Sequence, residues 1–380
     1  MISYGKHSIS DEDISEVLDV LNSDFLTQGP KVPEFENDLV RYTGGKYACA
    51  VNSATSALHI ACLALDLKKG DFLWTSPVTF VASSNAGLYC QAEIDFVDID
   101  PNTFNICPIK LEQRLNIAKE NGKIPKILVT VHLAGTPTHA KQIREICNTY
   151  DVKIIEDASH AIGASYEGKK VGSCDYSDIT VFSFHPVKII TTAEGGAAMT
   201  NDISLANKMQ KLRTHGITKD KEDFDEKNPE DWHYEQHFLG FNYRMNDIQA
   251  ALGSNQIKRL DTFVKERNEI ALYYLENLRD EPISFQMIPK ETLSSYHLFI
   301  IKVEESIRNK LFKYLRENNI LVNLHYSPVH LQPYYKKMGF NKGDFLESEN
   351  YSKTAISIPM YPDLKTQDLD YVISKLKKFS

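Results

Sequence analysis

Short apolar runs that alternate with amphipathic stretches constrain this chain more than any other feature. Phe72–Thr75, 94–97, Ile127–Val131, 152–156, 179–184 and Gly196–Thr200 read as buried strands, too short for helices. Between them, residues 53–67 place Leu58, Ala61, Cys62 and Leu65 at helical spacing behind a Ser53-Ala54-Thr55-Ser56 opening. Thr138 is expected to cap a helix whose core face is Ile143, Ile146, Cys147 and Tyr150. Strands separated by helices need crossover connections, which lay the strands parallel and cover both sheet faces. The predicted fold is therefore α/β, with a mostly parallel central sheet between helices. Ligands of such sheets bind at the carboxyl ends of the strands, and Asp157 falls at one of those ends.

The pattern changes after residue 218. The stretch 219–231 carries seven acids, three lysines and a proline, and reads as a solvated excursion. From Met245 the helical spacing of Ile248, Ala251, Leu252, Ile257 and Leu260 resumes and continues through Leu278. Residues 298–303, 307–318, 320–324 and 366–379 then read as strand, helix, strand and helix, with further structure across 345–359. A large domain over 1–250, whose first residues can pack on its neighbour, and a smaller α+β carboxy-terminal domain over 251–380 follow.

Composition excludes several function classes. Lys+Arg 43 against Asp+Glu 51 gives a formal charge of -8, and the basic residues are dispersed, which argues against a nucleic-acid partner. The first residues lack the apolar core of a secretion signal, and no window resembles a membrane span. Cys49, Cys62, Cys90, Cys107, Cys147 and Cys174 show no CxxC spacing and sit among apolar neighbours. They read as buried free thiols of a cytoplasmic protein, with no metal expected.

The chemistry-bearing residues cluster in a few segments. Phe182-Ser183-Phe184-His185-Pro186-Val187-Lys188 is followed by Thr191-Thr192-Ala193-Glu194-Gly195-Gly196, so a lysine stands just past a strand, after a turn-forming proline and before two glycines. Asp157 lies 31 positions before Lys188, inside Ile154-Ile155-Glu156-Asp157-Ala158-Ser159-His160-Ala161. It can cap a helix, or it can stay ionised against a protonated pyridine nitrogen. His160 can be a core histidine, pack on a ligand ring or bond its phenolic oxygen.

Ala54 and Thr55 open a helix whose unpaired amides suit a phosphate, although neither a P-loop nor a dinucleotide fingerprint is present. Phe80 can pack in the core or cover a ring face. Asn242, beside Arg244 in Gly240-Phe241-Asn242-Tyr243-Arg244, can belong to a plain turn or to an anion site. His325-Tyr326-Ser327-Pro328-Val329-His330 lacks the companions of a metal site and suits the lining of an interdomain cleft.

Taken in order, Leu26-Thr27-Gln28-Gly29-Pro30, Asn52-Ser53-Ala54-Thr55-Ser56-Ala57-Leu58, Glu156-Asp157-Ala158-Ser159-His160-Ala161, the Lys188 segment, Phe241-Asn242-Tyr243-Arg244 and His325-Tyr326 closely resemble the sugar-nucleotide aminotransferases. These are fold type I enzymes dependent on pyridoxal 5'-phosphate and related to aspartate aminotransferase. The resemblance implies that Lys188 is the catalytic Schiff-base lysine, that Asp157 binds the pyridine nitrogen and that Phe80 and His160 flank the ring. It implies phosphate contacts from Ala54, Thr55 and Ser183, with Asn242 supplied by the partner subunit of a homodimer with shared active sites. Substrate contacts map onto Tyr4, Leu26, Thr27, Gln28, His325 and Tyr326.

Within that group the likeness is greatest to the 4-aminotransferases of pseudaminic acid biosynthesis. The implied substrates are L-glutamate and a UDP-linked 4-keto sugar, UDP-2-acetamido-2,6-dideoxy-beta-L-arabino-hex-4-ulose. UDP-4-keto-arabinose is the alternative acceptor, and a non-catalytic binding protein on the same fold is the alternative class. A sugar 3-dehydratase of this fold would carry histidine where Lys188 stands. Two departures from the pattern concern local loop geometry: the acidic 219–231 stretch, and Ile189 where proline is common.

Overall fold

A computed structural model describes residues 1–379. The apolar runs become Tyr47–Val51 (β1), Phe72–Thr75 (β2), Glu93–Phe96 (β3), Ile127–Val131 (β4), Lys153–Asp157 (β5), Ile179–Ser183 (β6) and Gly196–Thr200 (β7). They form one seven-stranded sheet in the order β1-β7-β6-β5-β4-β2-β3. β7 runs antiparallel to its neighbours β1 and β6, while the β2–β3, β2–β4, β4–β5 and β5–β6 pairs are parallel.

The strands are apolar on both sides because both sides are covered. Successive strand residues point to opposite faces, so Val181 joins the core beneath the helices Ala54–Ala64 and Ile203–Arg213, while Phe182 joins the core with Phe35 and Leu39 of the helix Lys31–Thr43. The same alternation sends Ile155 to the first of these cores and Ile154 to a third, built with Leu111, Leu115 and Ile143. All six cysteines are buried. No helix among the described residues is long and apolar enough to cross a membrane.

The carboxy-terminal part is α+β. Ser284–Phe285 (β8), Phe299–Lys302 (β9) and Ala355–Ile358 (β10) make an antiparallel sheet in the order β8-β9-β10, with the helices Glu305–Glu317 and Thr366–Lys377 contributing to the adjoining core. Ile2 is part of that core as well. The helix Leu260–Leu278 serves both units: Leu260, Phe263 and Val264 lie in the large-domain core, and Ile270, Ala271, Tyr274 and Leu278 in the other. One continuous helix, not a linker, carries the change.

Two local expectations are corrected. The helix Ala140–Thr149 begins after His139 and has no side-chain cap. Thr138 does not serve, because its amide donates to the buried His132 Nδ1 at 3.1 Å and its hydroxyl is buried with no partner among the described residues. Residues 320–324 form no ladder strand. Ile320 bridges Ile2 and Asn323 bridges Ser357, so the segment is pinned at isolated points with different neighbours. The 219–231 excursion is mostly exposed and sits between the paired Ile217–Thr218 and Glu235–Gln236. Glu235 fastens it by accepting the Asp225 and Glu226 amides at 2.8 and 2.9 Å.

Candidate active site

The parallel strands β2, β4, β5 and β6 end at one sheet edge, and β7 starts there. Between that edge and the small domain lies a cavity of about 510 Å³ lined by, among others, Ala54, Phe80, Asp157, Ser183, Lys188 and Tyr326. Strand periodicity decides which of two adjacent acids enters it. Asp157 lines the cavity, whereas Glu156 points to the opposite face. Burial alone would raise the Glu156 pKa, yet the His132 ring 3.5 Å away and hydrogen bonds from Thr180 and Ser177 hold it below the ordinary value.

Asp157 is oriented from both sides. Ser83 donates to Oδ2 at 2.6 Å, and the Ser159 hydroxyl and amide donate to Oδ1 at 2.6 and 3.2 Å. No helix starts at Asp157, so its carboxylate is held by a local turn and a serine from a neighbouring helix. Ser83, brought 74 positions along the chain to reach it, had no signal in the sequence.

Lys188 follows the turn that Pro186 predicts. Its amide donates to the His185 carbonyl at 2.9 Å, and Pro186 occupies the second position of that turn. The amine has no hydrogen-bond or ion-pair partner among the described residues. Its surroundings disfavour the ammonium, and despite the opposing pull of Asp157 its pKa falls to about 8. A lysine with an unpaired, readily neutral amine is a nucleophile toward carbonyl carbon. Ile189, the departure in this segment, is buried in the large-domain core.

At the cavity's other side Ser53 caps the helix Ala54–Ala64 by accepting the Ser56 amide. The amides of Ala54 and Thr55 have no acceptor among the described residues, and the helix dipole favours an anion there. Gly196 permits this placement: a Cβ on it would lie 2.4 Å from the Ala54 nitrogen. The Ser183 hydroxyl, on the strand paired with Gly196, also has no hydrogen-bond partner among the described residues.

These groups fit pyridoxal phosphate. Two unpaired helix amides and a free hydroxyl suit its phosphate, Lys188 its aldehyde and Asp157 its ring nitrogen. Phe80 is 58% exposed although it lines the cavity, an apolar ring open to a planar ligand. His160 is buried and both its nitrogens are engaged, Nδ1 by the Ala134 amide at 3.3 Å and Nε2 with the Tyr326 hydroxyl at 3.1 Å. It can therefore offer a ligand its ring face, not a bond to a phenolic oxygen.

The small domain supplies a neutral wall. His325 lies between Ser357, 2.8 Å from Nδ1, and Asn323, 3.4 Å from Nε2; burial and the Lys188 charge lower its pKa to about 4. Tyr4 packs 5.2 Å from the His325 ring and also lines the cavity. Burial raises the pKa of both Tyr4 and Tyr326, which keeps them protonated. His330 turns away and pairs with the buried Glu349. His297, a lining residue the sequence did not single out, packs 4.3 Å from the His160 ring. Nothing near residue 297 in the chain distinguishes it from a core histidine.

Four of the sequence-derived positions are not brought to this cavity. Leu26, Thr27, Gln28 and Asn242 are exposed on the outside of the chain.

Fold and site together define a fold type I enzyme that uses pyridoxal phosphate, an aminotransferase. The sequence profile of the DegT/DnrJ/EryC1/StrS aminotransferase family matches residues 7–377, and the chain belongs to that family. It is 38% identical over 376 residues to the UDP-4-amino-4,6-dideoxy-N-acetyl-beta-L-altrosamine transaminase of Campylobacter jejuni strain 81-176, an alignment covering 98% of this chain and 96% of that one. Helicobacter pylori PseC, an aminotransferase involved in the biosynthesis of pseudoaminic acid, superposes with a TM-score of 0.91 at 31% identity over 100% of this chain and 98% of its own. The sugar aminotransferase Spr1654 of Streptococcus pneumoniae in its PLP form gives 0.89 at 28% identity, over 100% and 98% respectively.

Proposed function

We propose that this enzyme moves the amino group of L-glutamate to the C4 ketone of UDP-2-acetamido-2,6-dideoxy-beta-L-arabino-hex-4-ulose, giving UDP-4-amino-4,6-dideoxy-N-acetyl-beta-L-altrosamine and 2-oxoglutarate. The observation that carries the reading is the unpaired Lys188 amine beside Asp157 in a cavity headed by the free Ala54 and Thr55 amides. The names of the Campylobacter and Helicobacter relatives support this choice of substrate. Bound pyridoxal phosphate supplies the electron sink for the carbanion at the amino-bearing carbon.

The protein's own residues do the rest. Asp157, held by Ser83 and Ser159, presents a fixed carboxylate to the ring nitrogen. Lys188, neutral in a substantial fraction near pH 8, takes the α proton of the amino donor and delivers a proton to sugar C4. Tyr4, His325 and Tyr326 face the sugar with neutral groups. Leu26, Thr27, Gln28 and Asn242 act across the interface of a homodimer, each chain completing its partner's site. Their exposure and the closeness of Asn242 to Asn52, whose Nδ2 donates to the Asn242 carbonyl at 3.5 Å beside the phosphate cup, support that assignment. Soluble nucleotide-sugar substrates and six buried thiols support a cytoplasmic setting.

The test is product identification after incubation with L-glutamate and each candidate keto sugar. The expected result is a 4-amino product from the 2-acetamido-2,6-dideoxy ketose, formed with bleaching and recovery of the yellow cofactor. Preferential amination of UDP-4-keto-arabinose would overturn the substrate assignment while leaving the reaction class.

A further inference from the structure

We propose that Tyr326 is an obligate hydrogen-bond donor into the cavity, its direction set by the Ala134 amide through His160, and that it grips a ligand oxygen that accepts. The inference rests on the cavity being the aminotransferase site, and it assigns that site a fixed polarity.

The argument runs through donors that have no choice. Ala134 has φ 62°, a left-handed conformation uncommon for a residue with a side chain. The turn is held in place by its neighbour: at Gly135 a Cβ would come within 2.5 Å of Ser295 Oγ and 2.9 Å of the His160 carbonyl oxygen. So placed, the Ala134 N–H donates to His160 Nδ1 at 3.3 Å. A backbone amide can only donate, so Nδ1 must be the nitrogen without a proton.

His160 is kept neutral first by burial and then by the charge of Lys188. His297, tilted 45° against it with ring centroids 4.3 Å apart, is likewise depressed by burial and adds no charge. The proton of a neutral imidazole lacking one at Nδ1 is on Nε2. Nε2 lies 3.1 Å from the Tyr326 oxygen, which must therefore accept. The phenol itself stays protonated, since burial and the Asp157 carboxylate both raise its pKa. Its proton finds no second acceptor among the described residues, and Tyr326 lines the cavity.

A hydroxyl with its lone pair committed and its proton free selects against ligand groups that only donate. Ketone, carboxylate and phenolate oxygens all fit. The sources are the keto sugar, the amino donor and the cofactor ring.

The tautomer can be read directly. Full-length protein carrying 15N-labelled histidine, with cofactor bound and no substrate, is examined by long-range proton–nitrogen NMR, His160 being assigned by the signal lost in His160→Gln. The expected spectrum shows a proton on Nε2 and none on Nδ1 at pH 7, unchanged in Tyr326→Phe because the Ala134 amide sets it. An Nδ1–H tautomer or an imidazolium overturns the proposal, and leaves the aminotransferase reading untouched because no turnover is involved.

Tyr326→Phe then identifies the oxygen. Loss of a bond from a neutral donor to a charged or polarised oxygen is expected to cost roughly 10- to 100-fold. A cofactor affinity reduced by that factor places the oxygen on the ring. A raised KM for glutamate alone places it on the donor carboxylate, and a lowered kcat/KM for the keto sugar alone places it on the ketone. If all three change by less than about twofold in a variant that melts like the parent, Tyr326 donates to nothing and the proposal fails.

Discussion

Ala54, Thr55, Asp157, Ser183 and Lys188 converge on one cavity, whereas Leu26, Thr27, Gln28 and Asn242, equally prominent in the same resemblance, lie exposed on the outer surface of the chain. The first set is assembled by the sheet: parallel strands end at one edge, and whatever follows each strand arrives there. The second set is exposed yet held. Asp247, fully buried, accepts the Gly29 and Lys31 amides at 3.0 and 2.9 Å, and its own amide donates to the Leu26 carbonyl at 3.0 Å. Gln28 sits in the left-handed region at φ 57° within that latched loop. The 26–28 loop and the segment after Asn242 are thus fastened to one helix start. An exposed loop held in this way is available to a partner chain, as the proposed shared site requires.

The comparison breaks first at Lys188. Lys188→Ala is expected to fold, to lose the yellow absorbance of the loaded enzyme and to lose turnover by about 10⁴-fold or more, the scale of a removed nucleophile and proton carrier. Full turnover in that variant would dissolve the convergent set.

A smaller effect tests the surface set. Asn242→Ala is expected to lose roughly 10- to 100-fold through a missing hydrogen bond to phosphate. Mixing it with Lys188→Ala after joint refolding should restore about a quarter of the parent activity, because in the proposed homodimer half the dimers would be mixed and each would hold one intact site. No recovery on mixing would show that Asn242 works within its own chain.

Gly196→Ala probes how the cup is held. Its Cβ would meet the Ala54 amide nitrogen at 2.4 Å, so the helix start must move. An overpacking cost of about 1–3 kcal/mol corresponds to a cofactor Kd raised roughly 5- to 150-fold, measurable by fluorescence titration. An unchanged Kd would mean that the phosphate does not rest there.

The mildest test is a pH profile. In cofactor-free protein the capture of pyridoxal phosphate needs a neutral amine, so its rate should rise with pH and level off above about 8, not above 10.5. Burial lowers this pKa and the Asp157 charge raises it, so Asp157→Asn should shift the midpoint further toward acid. A midpoint near 10.5 would show that Lys188 is solvated.

Much of the large domain was legible because its strands are buried on both faces and therefore read as continuous apolar runs. Ile127–Val131 and Gly196–Thr200 match their predicted limits. The short contacts around 320–324 were not legible, since Ile320 and Asn323 find different partners, one at the chain's start and one on β10. Asp157 and Lys188 were candidates by type and position. That Asp157 and not Glu156 faces the cavity depends on the register of β5 against its neighbours.

The amino-acid order by itself determined the strand–helix alternation, the proline turn before Lys188 and the small residues that let a helix start approach β7, because these depend on local sterics and periodicity. Tertiary structure decided what the polar groups became. Ser83 reached Asp157 across 74 positions, and Ala134 and Tyr326 came to opposite nitrogens of His160. Hydrogen-bond direction and desolvation depend on which groups meet in space, and the Lys188 amine has a lowered pKa only because the fold has removed water from around it.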